Sequence, residues 1–291
     1  MGSIRLVRRI AVMASALTLI AAASAQAQGP GSSLKPGKAM AYATTDQNTL
    51  ISFNARKPEL LQDVRAITGL PAGVKLVGVD FRPRTGDLYG VGSDSVVYRV
   101  SPNTGIAIAE NILNGAPVPF TPALNGASFG IDFNPVPDAI RVVSDAGQNQ
   151  RLAPDAGTTA GVDANLNPGM PKVGGAAYTN SSFSATQPTA TQLFVIDYAN
   201  DMVFLQNPPN NGTLTKGQRL TGVDVQPQFG WDIAGTNNTG YLATRGRRAR
   251  DGASLHTVDP NTGFTRNIGQ IGGRRLRGLA VTGLAVSQPT P

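Results

Sequence analysis

Beyond residue 39 the chain alternates between short apolar runs and clusters of glycine, proline, asparagine and aspartate. Runs such as LVGVDF (76–81), FGIDFN (129–134) and LFVIDY (193–198) are rich in valine, isoleucine and aromatic residues. No stretch keeps apolar residues at a 3.6-residue period over three turns, so the pattern predicts strands rather than helices. The punctuation is itself specific. In Ser101-Pro-Asn-Thr-Gly105 and Asp259-Pro-Asn-Thr-Gly263, proline presets φ at the second position and glycine takes the left-handed one, as an outer hairpin requires. The fold class is all-β.

The strands fall into repeats. LVGVDFRPRTGDLYGVGSDSVVYRVSPNTG (76–105) lies on SFGIDFNPVPDAIRVVSDAGQNQRLAPDAG (128–157) without a gap. Residues 229–263 match at both ends, and 173–179 with 192–212 form a more degenerate copy. Each unit opens on a glycine: Gly78, Gly130, Gly175, Gly230 and, at the C-terminus, Gly278. Such spacing is that of a four-stranded propeller blade. MAYATTDQNTLISFN (40–54) matches second and third strands without a first, and LRGLAVTGL (276–284) matches a first strand alone. Joined, they complete a fifth blade and close the ring, which removes the open sheet edge. The expectation is a five-bladed β-propeller of four-stranded blades, closed by pairing the N- and C-terminal strands; a six-bladed ring is the alternative. It forms a single domain over 39–286, preceded by a flexible segment at 28–38 and followed by a disordered tail at 287–291.

Even-length loops between the first three strands of each unit would put Asp132, Arg141 and Gln150 in one cross-strand row. The corresponding rows are Ala280–Tyr42–Ile51, Asp80–Tyr89–Tyr98, Ala177–Phe194–Phe204 and Asp232–Tyr241–His256. Only the 128–157 unit puts arginine and glutamine where the others carry aromatic or aliphatic residues. A buried arginine needs a carboxylate, because removing the partner of a buried ion pair costs about 3–5 kcal/mol, and register nominates Asp132. Two readings stand: a satisfied triad that fixes blade order, or a blade that opens towards a ligand. On the second reading Asp132, Asn134, Arg141, Asn149 and Gln150 are ligand-binding candidates.

Asp80, Asp132 and Asp232 share a column on the inner strands. If they line a central channel they are candidate ligands for Ca²⁺, which prefers six to eight oxygens; otherwise they bond backbone in the neighbouring blade. His256, the one histidine, reads as a core substitute. No P-loop, dinucleotide fingerprint, zinc helix or nucleophile elbow is present, so no catalytic residue is assigned and no cofactor beyond possible Ca²⁺ is expected.

Charge and leader add a setting. Arg5, Arg8 and Arg9 precede an apolar run at 10–23 and Ala25-Gln-Ala27, the pattern of a secretory signal peptide over 1–27. The run is too short for a membrane span, and cysteine is absent from the chain. Export to a bacterial periplasm or the exterior is expected, with no disulfide and no integral membrane segment. The formal charge is +7, and Arg245, Arg247, Arg248, Arg274 and Arg275 fall in loops that a propeller brings to one face. That cluster suits an anionic polysaccharide or other envelope polymer. Nucleic acid is not expected, since no aromatics interleave with these arginines.

GVDFRPRTGDLYGVG, FTPALNGASFGIDFNPVPDAIRVVSDAGQNQRL and VGGAAYTN resemble the motifs of a bacterial secreted family catalogued as domain of unknown function 4394. The resemblance covers 39–284 and implies an exported, propeller-like domain with no established activity. Three functions follow: a non-catalytic module that presents one face to a polar or anionic ligand such as a cell-surface glycan, a glycan- or lactone-acting hydrolase or lyase using channel aspartates, and a structural envelope or matrix protein. The binding module is preferred.

Overall fold

The structure, a computed structural model, describes residues 39–184, 186–246, 248, 251–273 and 281–287. The expected signal peptide and 28–38 segment lie outside the described residues, as do 288–291 of the tail. Apart from 3-10 turns at Pro209–Asn211 and at residue 273, the described chain is strands and loops. No described helix is long and apolar enough to cross a membrane.

Five four-stranded antiparallel sheets form the blades. Blade 1 holds β1 (Met40–Thr45), β2 (Thr49–Asn54) and β3 (Leu61–Ala66). Blade 2 is β4 (Leu76–Phe81), β5 (Leu88–Gly92), β6 (Val97–Val100) and β7 (Ala107–Ala109), followed by a two-stranded ribbon of β8 (Ile112–Leu113) and β9 (Ala116–Pro117). Blade 3 is β10 (Phe129–Asn134), β11 (Ala139–Ser144), β12 (Asn149–Ala153) and β13 (Thr158–Val162). Blade 4 is β14 (Val173–Tyr178), β15 (Leu193–Asp197), β16 (Met202–Gln206) and β17 (Leu214–Arg219). Blade 5 is β18 (Gly230–Ala234), β19 (Thr239–Arg245), β20 (Ala253–Val258) and β21 (Thr265–Gln270). The last strand, β22 (Val281–Ser287), pairs with β1 and becomes the inner strand of blade 1. The five-bladed, terminally closed ring is what the repeats predict.

The closing strand lies five residues later than expected. Tyr42 opposes Ala285 rather than Ala280, and the inner glycine is Gly283 rather than Gly278. The sequence holds GLAV twice in succession, at 278–281 and 283–286, and the repeat alignment takes the first copy. Ser287, expected in the tail, pairs with Met40.

Buried apolar residues collect at the blade interfaces: Tyr98 and Leu88 between blades 1 and 2, Val91 and Phe133 between 2 and 3, Tyr178 and Val143 between 3 and 4, Trp231 and Phe194 between 4 and 5, Tyr241 and Leu284 between 5 and 1. At the axis the inner strands approach too closely for side chains. A Cβ on Gly130 would sit 2.4 Å from the Ala176 nitrogen, and one on Gly283 would sit 2.8 Å from that of Val79. The void among these glycines is about 10 Å³, barely the volume that admits one water. Among the described residues the axis is plugged at this level.

Candidate binding site at the propeller axis

Two residues beyond each axial glycine lies the aspartate column. Asp80 accepts the Phe133 N–H at 2.7 Å, Asp132 that of Tyr178 at 2.8 Å and Asp232 that of Val286 at 2.6 Å. Each carboxylate therefore stitches its own inner strand to the next blade's. Asp80 and Asp232 also take the N–H of their following residue, Phe81 at 2.7 Å and Ile233 at 2.6 Å. Ala177 and Ala285 fill the column in blades 4 and 1.

Ligand oxygens of the three carboxyls lie within 4.8 Å of one another, and all three residues are buried. Burial first, then the charge of neighbouring carboxylates, pushes Asp80 and Asp132 well above the usual range, and burial pushes Asp232 up to about 6. Desolvation and like charge both oppose ionisation, so the three carboxyls favour the protonated form and titrate as a set. As a Ca²⁺ site the three carboxyls fall short of six to eight oxygens, and their lone pairs already serve backbone N–H groups.

Above the cluster the axis opens into a cavity of about 520 Å³, within the range of small-ligand sites. Asp80 and Asp232 line its floor, and Tyr42, Phe81 and Phe183 its wall. Tyr42 and Phe81 pack edge to face with centroids 5.2 Å apart. Arg82 also lines the cavity, but its guanidinium is held by Asp138 at 2.6 Å and Asp155 at 2.5 Å. The sequence reading missed this site, because its wall comes from three blades and a loop. Asn180 exchanges side-chain and backbone hydrogen bonds with Asn238 of blade 5, and the Ser184 N–H donates to the Pro83 carbonyl of blade 2 at 3.1 Å. Between these anchors Phe183 stands 56% exposed at the cavity rim. The available signal was the one aromatic residue in a thirteen-residue loop otherwise of small and polar residues and a proline (180–192).

The residues of the predicted Asp–Arg–Gln row separate. Asp132 does oppose Arg141, but Arg141 opposes Arg151, and Gln150 opposes Val142. The loop between paired Val143 and Asn149 has an odd length, and a one-residue slip sends a side chain to the other face. The same slip recurs in the other blades: Tyr98 opposes Gly90, Phe204 opposes Val195, His256 opposes Leu242 and Ile51 opposes Ala43 on β1 and Val64 on β3 rather than Tyr42. Arg141 finds its carboxylate elsewhere. Its guanidinium donates to Asp163 at 2.5 Å, Asn149 at 2.8 Å, Asn210 at 2.8 Å and the Tyr178 hydroxyl at 3.1 Å. Arg141 is 1% exposed, and Arg151 supports Asp163 from outside at 2.8 Å. Asn149 further bonds the Ala164 and Pro209 carbonyls, while Asn134 accepts the Val136 N–H and borders Tyr178. This network straddles the blade 3–4 interface, with Arg141 and Asn149 buried at its centre and Arg151 and Asn210 at its solvent edge, and none of it lines the axial cavity. Gln150 is fully buried, and its amide has no partner among the described residues.

Of the basic cluster, Arg245 is half-buried at the end of β19, and Arg248 is exposed with its N–H on Asp251. Arg247, Arg274 and Arg275 lie outside the described residues.

A family model for the Domain of unknown function (DUF4394) matches residues 49–280. The chain belongs to that family. The match spans all five blades, from β2 to the start of the closing strand, so this DUF4394 chain wears the family's sequence on a five-bladed ring. Among solved structures it is similar to a putative 6-phosphogluconolactonase from Bacteroides uniformis, with 13% identity, a TM-score of 0.44 and coverage of 80% of this chain and 82% of that one. At that distance nothing said of that protein passes to this DUF4394 member. No protein of curated function matches the chain.

Proposed function

We propose that the chain is an exported, non-catalytic binding module whose axial pocket takes the end of a polar, uncharged chain, such as a cell-surface glycan. The observation that carries this reading is a cavity of about 520 Å³ with aromatic walls and a carboxyl floor, closed beneath by the axial glycines. Aromatic faces and edges pack against the C–H surfaces of a sugar ring, and carboxyl groups both donate and accept hydrogen bonds when protonated. A blind pocket suits a chain end rather than an internal segment. The leader and the absence of cysteine support an exported setting, where such polymers are met.

A binding role is preferred to hydrolysis on the geometry of the same carboxyls. Paired acid–base chemistry on glycosides needs two carboxyls about 5–10 Å apart and free to exchange protons with substrate. Here both oxygens of Asp80 and of Asp232 hold backbone N–H groups, so these carboxyls are committed to the inner strands. Screening the protein against an array of neutral, acidic and sulfated oligosaccharides tests the reading. Retention of neutral oligosaccharides supports it; failure to retain any glycan overturns it.

A further inference from the structure

The polar side chains that line the axial cavity are nearly all engaged within the protein. Asp80 and Asp232 give both oxygens to backbone N–H groups. Arg82 donates to Asp138, Asp155 and the Tyr89 hydroxyl, and Ser181 and Ser287 donate to the carbonyls of Tyr178 and Met40, each at 3.2 Å. Thr85, which is exposed, accepts the Asp87 N–H at 3.3 Å. Tyr42 differs: its ring packs on Phe81, and its hydroxyl has no hydrogen-bond partner among the described residues. The rest of the wall is apolar. Ile233 and Val286 both donate their N–H to the Asp232 carboxyl at 2.6 Å, which sets the two residues beside it, and Met40, Phe81, Pro83 and Phe183 extend the apolar surface.

Aromatic rings take the C–H face of a sugar, but the aliphatic part of this wall does not suit a hydroxyl. Burying a hydroxyl without a partner costs free energy, whereas burying a methyl group gains it. We propose that the glycan end held in the axial pocket carries an acetyl substituent. Its methyl group packs against Ile233 and Val286, and its carbonyl accepts from the Tyr42 hydroxyl. An acetyl group is also uncharged, as this wall requires, because Arg82, its one cation, is neutralised by two carboxylates. Ring hydroxyls can still donate to the remaining lone pairs of Asp80, Asp232, Ser181 and Ser287. This inference rests on the binding reading above and narrows its ligand class. An acetamido sugar and an O-acetyl ester present the same group.

Matched oligosaccharides that differ only in acetylation test it by calorimetry on the full protein. One pair is chitotetraose and cellotetraose, which differ in acetamido against hydroxyl; the other is O-acetylated xylotetraose and the same sample after saponification. The expected result is an acetylated member bound about tenfold or more tighter than its partner, from one methyl burial and one hydrogen bond. Preference in the first pair alone identifies an acetamido sugar, and preference in the second alone identifies an ester. In Tyr42→Phe and in Val286→Thr the ratio of the two Kd values should fall towards one. Tyr42→Phe keeps the ring that packs on Phe81, so it keeps the test valid even if Val286→Thr disturbs folding. Equal Kd values within both pairs in wild type, or a ratio unchanged in both variants, overturns the inference and leaves the glycan-binding reading standing. Failure to bind any of the four, together with an array that retains no glycan, overturns both.

Discussion

Asp132 accepts the backbone N–H of Tyr178 at 2.8 Å, and Arg141, its cross-strand neighbour, donates to the hydroxyl of the same tyrosine at 3.1 Å. Two adjacent side chains of blade 3 thus hold one residue of blade 4 by its main chain and by its ring. The pair does not form the ion bridge that register suggests. Arg141 is neutralised by Asp163, and Asp132 belongs to the axial carboxyl cluster.

The first prediction follows from that division. Asp163→Asn leaves a fully buried guanidinium without its carboxylate, which typically costs about 3–5 kcal/mol. Arg141→Met is milder, because Asp163 keeps Arg151 and the methionine fills much of the space. Urea unfolding of both variants should therefore rank Asp163→Asn as the less stable. The reverse order would mean that Arg141 is not neutralised through Asp163.

The axial cluster sets a pH dependence. Carboxyls whose pKa is raised in the fold contribute stability that is complete below the ordinary range near 4 and is lost as pH rises through the folded value. That value is about 6 for Asp232, with Asp80 and Asp132 also raised. Tm should accordingly fall between pH 5 and pH 8. Asp132→Asn keeps an acceptor for the Tyr178 N–H and removes one ionisation, so it should flatten the fall and exceed wild type at pH 8. A wild-type Tm that rises over this range contradicts the assignment.

Gln150 offers a test of opposite sign. Its amide is buried on the apolar side of blade 3, opposite Val142, without a partner among the described residues. An unmet buried polar group costs about 1–3 kcal/mol. Gln150→Met has similar volume and no such demand, and should stabilise the protein by about 1 kcal/mol in urea unfolding. A loss of stability would show that the amide does have a partner.

How much of this was legible in the sequence depended on what each loop hid. The register of β10 on β11 could be read because Asp132 and Arg141 flank a short hairpin, and its counterparts in blades 2 and 5 follow the same rule, while blade 4 keeps the Ala177–Phe194 pairing across a long loop. The next pairing could not, since odd loops look like even ones until the turn is built. Arg141's true partner, Asp163, follows the fourth strand, outside the columns that the repeat alignment compares. The closing strand was ambiguous because GLAV occurs twice. Of the axial pocket, the aspartate column was visible, but its aromatic wall was not. Phe183 reaches the rim only because its loop runs from blade 5 to blade 2, a path that strand periodicity does not encode.

Isothermal titration with a neutral oligosaccharide retained on the array, comparing wild type with Phe183→Ala, tests the central claim most directly. Phe183 is exposed at the rim, so its removal should leave Tm unchanged. The account predicts a Kd weakened about tenfold, equivalent to about 1.4 kcal/mol, with Arg248→Ala on the opposite face as a silent control. Unchanged affinity in Phe183→Ala, or a loss confined to Arg248→Ala, would contradict it.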